Sequence, residues 1–462
     1  DLGFLRNQAL WIGSNARINA SGTVIERPTN SNSLFTDLDV LDAGNITIKA
    51  VRGFVVAEQG SVLDVSGVSR QVTTFDAGKL RTYTDYANAG SIDIGSDIGI
   101  ILNSTLRGKA ASNLASNGKI SIRMTNDGGQ LSSDELAFEG VSVLPPQVTP
   151  TIELSSNDTN FAVARGDDIP ERFDRRALVN VQRLQDGGFD NVTFNAINLE
   201  ATSDISFSTR QSIVLDNVLI DLNDKNVQLA SNYISLGPTL TNNQNLVPVD
   251  LSPDISVSGD SGVLNVNANF IDLIGDLGIT GESDSNIDVF LNSAGDVRLR
   301  GVFSRDQLPN GSLNFYGDLT LTADQIYPST LTEYSIINQH KLNAEVDETT
   351  GDITSIIDAG GVVEINGNGN ATPVLSAAGK LTIDSPTIIN RGVIKAPAGE
   401  INLIAPLSLQ LLNGSTTSVS LDNQSVPFWR TEAGDWVYTT QEGASSFTFV
   451  FNDLPEKVIS LN

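Results

Sequence analysis

The chain has 462 residues, a formal net charge of -27, no cysteine and one histidine. A surface this acidic excludes nucleic-acid binding, which needs a basic face, and is repelled by anionic membranes. One histidine without cysteine excludes ordinary zinc, copper and haem sites, and no apolar run reaches the roughly 20 residues of a membrane helix.

The hydrophobic fraction is 40%, yet only 6% of the chain is aromatic and 40 residues are glycine. A large globular core leans on aromatic bulk, so this apolar material must be buried in thin layers. A solenoid does that, because it grows in one dimension and each coil buries its neighbour. Without cysteine the chain has no disulfide framework, and a long stacked core needs none. The start, Asp1-Leu2-Gly3-Phe4, has no basic segment and no cleavage site, so it reads as the interior of something longer.

Along the chain, a Gly- or Asn-led turn repeatedly introduces a short alternating strand. Gly44-Asn45-Ile46-Thr47-Ile48-Lys49 is the first instance, followed by Gly60-Ser61-Val62-Leu63-Asp64-Val65-Ser66-Gly67. Gly90-Ser91-Ile92-Asp93-Ile94 and Gly118-Lys119-Ile120-Ser121-Ile122 repeat it. So do Gly262-Val263-Leu264-Asn265-Val266, Gly379-Lys380-Leu381-Thr382-Ile383 and Gly399-Glu400-Ile401-Asn402-Leu403. Apolar residues at every second position bury one face and wet the other, and glycine is expected to supply positive φ at the corner. The last two units begin 20 residues apart. That matches one coil of a parallel β-helix; the other spacings vary, so corner loops must differ in length. A β-propeller would carry a blade signature, and none is present.

The rhythm lapses from Phe138 to Gly188, with Pro145, Pro146 and Pro150 in an expected loop. The run from Pro170 to Gln185 predicts a helix, with Phe173, Ala177, Val181 and Leu184 on one face, Pro170 at its first turn and Gly187 at its stop. From Asn191 the strands resume, at Val192-Thr193-Phe194, Ile205-Ser206-Phe207, Ile213-Val214-Leu215, Val227-Gln228-Leu229 and Ile234-Ser235-Leu236. The expected fold is all-β: a right-handed parallel β-helix (solenoid) with a short helical and loop insertion, the hand following the bias of parallel crossovers. Its parts are coils over 1–137, an insertion on the rod's flank over 138–188, and coils over 189–462.

Several segments resemble one known family. They are Gly187-Gly188-Phe189-Asp190, Gly295-Asp296-Val297-Arg298-Leu299-Arg300-Gly301 and Leu319-Thr320-Leu321-Thr322-Ala323-Asp324-Gln325-Ile326-Tyr327-Pro328. Ala371-Thr372-Pro373-Val374-Leu375-Ser376, Gly434-Asp435-Trp436-Val437-Tyr438 and Leu454-Pro455-Glu456-Lys457-Val458-Ile459 complete the set. Together they resemble the large filamentous haemagglutinin exoproteins of Gram-negative bacteria, exported by two-partner secretion. The resemblance covers nearly the whole chain and is most specific after Phe189. It implies a right-handed parallel β-helix, a location outside the cell or on its surface, an outer-membrane transporter as export partner, and an adhesive or scaffold role. The family's N-terminal secretion domain is absent from this sequence, and the resemblance brings no catalytic motif.

A few residues carry candidate chemistry. Ser261 in Gly259-Asp260-Ser261-Gly262 mimics a nucleophile turn, but Val263 follows and the one histidine, His340, lies in a polar Gln339-His340-Lys341 stretch. The better reading is a corner turn and an exposed loop histidine. Asp284, Asn286 and Asp288 match the first ligand spacings of a calcium loop, while Val289 and Gly295 stand where its glycine and glutamate belong. Weak calcium binding is left open, and otherwise these residues face solvent. Arg165, Arg172, Arg175, Arg176 and Arg183 form a basic island, expected to pair locally because Asp167, Asp168, Glu171 and Asp174 lie among them. Trp429, Trp436 and Tyr438 either stack on sugars or seal the last coils, and sealing is preferred.

The functional expectation is therefore a structural or adhesive rod segment of a bacterial surface exoprotein, without catalysis, catalytic residues, cofactor or metal. Expected partners are the transporter and a host receptor, glycan or neighbouring surface protein, with no nucleic acid and no membrane span. A polysaccharide-binding or polysaccharide-cleaving β-helix is the second expectation; an inverting pair of carboxylates sits easily on adjacent coils, but no pair stands out in the sequence. The stalk of a contact-dependent toxin is the third.

Overall fold

A computed structural model describes residues 8–28, 36–50, 53–76, 79–124, 148–238, 261–280, 286–304, 307–339, 343–346, 353–358, 360–426, 430–432, 435–442, 445–451 and 455–462. The fold is an all-β parallel β-helix. The chain forms two compact units, one of residues 1–197 with 207–214, the other of residues 198–206 with 215–462.

In the first unit, strands Asn45–Ala50, Ser91–Ser96, Lys119–Met124 and Asn191–Asn195 stack in parallel and in register. Ile46, Ile92, Ile120 and Val192 form one buried column; Ile48, Ile94, Ile122 and Phe194 form the next. A second face stacks Ala9–Ile12, Phe54–Ala57, Gly99–Leu102, Arg176–Asn180 and Thr151–Ser155. Arg17–Asn19, Val62–Asp64 and Thr105–Arg107 make the third. The alternation read in the sequence supplies these columns, because every inward residue meets an inward residue of the next coil.

The variable spacing has a visible cause. Antiparallel hairpins, Thr23–Pro28 with Thr36–Leu41 and Ser69–Asp76 with Lys79–Tyr86, leave the coil at equivalent corners. Asn45 and Ser91 therefore share a level although 46 residues separate them. The corner glycines are of two kinds: Gly60 and Gly262 take the expected positive φ, at 92° and 148°. At Gly44, Gly90, Gly379 and Gly399 the backbone has no positive φ; instead a Cβ on Gly90 would strike the Gly44 carbonyl, and one on Gly399 the Gly379 carbonyl. Close approach of stacked corners, not left-handed backbone, selects glycine there.

The predicted helix over 170–185 is replaced by three elements: a 3₁₀ turn Glu171–Phe173, strand Arg176–Asn180 and helix Val181–Gly187. Arg175, at φ 59°, breaks helical geometry. Ala177 and Val179 lie at the levels of Ile100 and Leu102, and the strand pairs on both sides. Two ladders of parallel hydrogen bonds plus core burial outweigh helix propensity. The true helix is capped by the Asn180 side chain, which accepts from Gln182 N at 2.8 Å, and stops at Gly188 in the left-handed region.

Within the expected insertion, Thr151–Ser155 is itself a strand of the second face, and residues 156–174 cover the outside of that face. Phe161, Val163, Ile169 and Phe173 pack over Phe54, Val56, Ile101 and Leu178. Trp11 and Phe173 flank Phe161, at ring separations of 6.0 and 5.3 Å. This strap makes a second small core outside the coil.

In the second unit, strands Asn198–Ala201, Leu219–Asp221, Asp276–Thr280, Gln307–Phe315, Glu333–Asn338, Lys380–Asp384, Glu400–Ile404 and Val458–Leu461 stack along one face. Leu277, Leu313, Ile336, Ile383 and Leu403 form a column excluded from solvent. Lys380 sits opposite Glu400, so the 20-residue interval is one coil. Other faces carry Asn226–Leu236, Ser261–Ile274, Asn286–Ser293, Val297–Arg300, Gly317–Ala323 and Ile326–Pro328 in register. Ser261–Ile274 is long enough to turn a corner and pairs with both Asn286–Ser293 and Val297–Arg300.

Candidate functional site

The densest chemistry in the second unit is a polar flank across four successive coils. Ser235, Asp272, Arg298 and Tyr327 occupy one level of the stack, on the outward side of strands whose inward residues are Ile271, Val297 and Ile326. Asp272 is 0% exposed. It accepts hydrogen bonds from Arg298 Nε and Nη2 at 2.8 Å each and from the Tyr233 hydroxyl at 2.8 Å, with Arg300 Nη1 at 3.6 Å. A buried carboxylate needs such saturation. Arg298 also lies 5.2 Å above the Phe270 ring, which stacks on Tyr233 at 6.5 Å. The hydrogen bonds to Asp272 raise the Arg298 guanidinium above its ordinary value, against burial. Burial, followed by the Asp272 charge, pushes the Tyr233 phenol up to about 12.

A second cluster continues the flank. The Gln325 side chain donates from Nε2 to Asp296 Oδ2 at 3.2 Å and to Thr372 Oγ1 at 3.4 Å. Lys395 Nζ donates to the Thr372 carbonyl at 3.0 Å and to Asp422 Oδ2 at 2.9 Å. Burial raises the Asp296 carboxyl above its usual value, and the adjacent Asp324 adds to the effect. Burial likewise lifts Tyr327 to about 12, with Asp296 contributing. The first unit has a simpler counterpart, where buried Asp190 accepts from Asn117 Nδ2 at 2.8 Å and Arg210 Nη2 at 2.6 Å.

The residues singled out in the sequence are scattered. Ser261 opens a strand and donates from N and Oγ to Asp224 Oδ1 at 2.9 and 3.0 Å, which is a turn interaction. Gly259, Asp260, His340 and Lys341 lie outside the described residues, as do Asp284, Trp429, Pro145 and Pro146. Asn286 and Asp288 lie on one strand, and Asp288 faces Asp318 of the next coil, where burial and that neighbour raise its carboxyl. Among the described residues, no three acidic or histidine side chains gather as a metal site.

The basic island is dispersed into separate structural contacts. Arg176 pairs with Glu153, and Arg183 forks onto Asp158 with two bonds of 2.8 Å, so both reach carboxylates outside the island. Arg175 is buried and donates to the Asp97 carbonyl at 2.6 Å; desolvation lowers its guanidinium. Arg172 lies 4.7 Å over the Phe173 ring.

Trp436 and Tyr438 belong to an antiparallel sheet of Arg430–Glu432, Asp435–Glu442 and Ser445–Phe451. Trp436 pairs with Phe451 and Tyr438 with Phe449, which puts all four rings on one face. Phe447 and Phe449 rest on Phe303 at 5.1 and 6.3 Å, so the sheet packs against the strand Val302–Ser304.

Sequence reasoning missed the polar flank. Asp272 and Arg298 each interrupt an apolar strand, in Phe270-Ile271-Asp272-Leu273 and Val297-Arg298-Leu299, and that interruption was the available signal. Their pairing depends on coil register, which the irregular loops conceal. Compared with family profiles, with characterised proteins and with solved structures, the chain matches none.

Proposed function

We propose that the chain is a structural and adhesive rod segment of a large bacterial exoprotein, acting outside the cell or on its surface through rigidity and presented loops. The observation that supports this most is the use of charge. Asp272, the buried carboxylate of the polar flank in the second unit, pairs across coils with two arginines, and a tyrosine completes the set. Such ladders resist sliding and local opening between coils. Stacked apolar columns serve the same end, because each coil adds an interface. The net charge of -27 keeps such segments from bundling nonspecifically.

In this reading an outer-membrane transporter of the two-partner type exports the parent chain unfolded, which absence of cysteine favours. A host receptor, glycan or neighbouring surface protein then binds the protruding hairpins, since coil strands are committed to one another. A toxin stalk would use the same rod properties. The carbohydrate-active alternative draws on the partly exposed aromatic face of Trp436, Tyr438, Phe449 and Phe451.

The test combines surface labelling of intact cells with polysaccharide turnover by purified protein. Surface signal without turnover is expected. Turnover lost on a single Asp substitution, with the fold retained, would replace this reading by the enzymatic one.

A further inference from the structure

Lys395 is an unusual lysine. It ends the strand Val393–Lys395 on the outward side, yet is only 7% exposed and is the one buried lysine among the described residues. Lysines are almost never buried unless paired. Its Nζ meets Asp422 Oδ2 at 2.9 Å and the Thr372 carbonyl at 3.0 Å. Asp422 lies 27 residues on, in a turn where its own φ is 50° and that of Asn423 is 60°. Two consecutive non-glycine residues in the left-handed region cost backbone energy, and the turn so formed carries the Asp422 carboxylate to the amine. A third group stands by. Asp296 is linked to this point through Gln325 and Thr372.

We propose that Lys395 and Asp422 condense into an intramolecular isopeptide bond between Nζ and Cγ, releasing one water. Within the ion pair the ammonium passes one proton to the carboxylate, leaving a neutral amine against a neutral carboxyl. The amine lone pair attacks Cγ and the N–C bond forms. The C–OH bond then breaks, and the hydroxyl leaves as water with a second proton from nitrogen. Charge and atoms balance, and no oxidant or cofactor is required. Fixed contact between the two groups supplies the effective concentration that a bimolecular condensation lacks. Asp296, which reaches this point through Gln325 and Thr372, serves as a positioning residue that holds Thr372 and, through its carbonyl, the amine against the carboxyl group. The product ties the turn at 419–424 to a coil strand, a covalent cross-link in a chain that has no disulfide.

The experiment is intact mass measurement of the full chain under denaturing conditions, followed by peptide mapping. The expected mass is one water below the sequence value, with a branched peptide joining residues 395 and 422 and no tryptic cleavage after Lys395. K395R keeps the ion pair but cannot form this bond, so it is expected at full mass. D296N is expected to fold alike and to lose the water far more slowly; an undiminished rate would remove Asp296 from the proposal. A wild-type chain of full mass, cleaved normally after Lys395, overturns the bond. So does a water deficit that maps to an aspartyl succinimide elsewhere.

Discussion

Asp272→Asn probes whether the polar flank holds coils together. The substitution keeps shape and removes charge at a fully buried carboxylate that engages Arg298 twice, Tyr233 once and Arg300 more distantly. Breaking a buried ion pair from one side costs about 3–5 kcal/mol. Here the arginine side chains retain 37% and 29% exposure and can turn to water, which lowers the expected cost to about 2–3 kcal/mol. A long coil array does not unfold as a two-state body, so the readout is amide hydrogen exchange. Amides of Ser261–Ile274 and Val297–Arg300 should exchange about 30- to 160-fold faster, while the column at Leu403 stays protected. Arg298→Gln and the double variant complete a cycle, whose expected coupling is at least about 1.5 kcal/mol. Additive effects of the two changes, or exchange altered less than about threefold, would refute the idea that this ladder fastens the coils.

Tyr233, Tyr327 and Tyr334 should titrate late. Their folded-state values lie above the ordinary 10, at about 12 for the first two, chiefly through burial. The neutral phenols therefore contribute stability below pH 10 that is lost as pH rises towards 12, and tyrosinate absorbance should show three of the seven tyrosines ionising only there or on unfolding. Asp158 runs the other way. Its hydrogen bonds from Arg183 and Asn180 hold it below 3.8, so its contribution is present above that value and lost as pH falls further; proteolysis between 156 and 174 should accelerate in strong acid, and at neutral pH in D158N. Replacing 156–174 with a short linker should leave the coil strands protected but expose Phe54, Val56, Ile101 and Leu178, detected as dye binding and self-association. Gly399→Ala should destabilise its corner by about 1–3 kcal/mol, since the new methyl meets the Gly379 carbonyl; unchanged thermal stability would contradict that.

Alternation was enough to locate strands. The strands around Ile46, Ile92 and Ile120 could be seen because period 2 survives any loop length, and Leu381, level with Ile401, follows the same pattern in the late coils. Partner choice was not legible, because register passes through hairpins that can be any length. The error at 170–185 has the same root. Phe173, Ala177, Val181 and Leu184 are all buried as helical spacing suggested. They are buried by three different partners, however: the outer strap cluster, the coil interior and a short helix. A local period cannot separate those cases. The Asp272 ladder was hidden for a related reason, since its members are adjacent only once four coils are stacked.

That separation between interior and corners bears on how such a segment could acquire partners. In the first unit the column Ile46, Ile92, Ile120 and Val192 keeps one level through connections of very different length. The hairpin Ser69–Asp76 with Lys79–Tyr86 adds chain at a corner without shifting that level. Strand residues are constrained from inside by the column and along the chain by two neighbouring ladders. Hairpin residues are constrained by neither, and Leu80 and Tyr83 stand well exposed on one of them. A change on the hairpin therefore alters the surface at little cost to the coil, whereas an inward change such as Leu313→Ala, in a solvent-free column, should cost about 2–5 kcal/mol. Exchanging Leu80 and Tyr83 for serine should accordingly leave proteolytic resistance of the coils intact while changing adhesion of cells that display the chain. If adhesion is unaltered by those changes and by equivalent ones at Ile25 and Leu41 on the other hairpin, the proposal that the hairpins bind a partner fails.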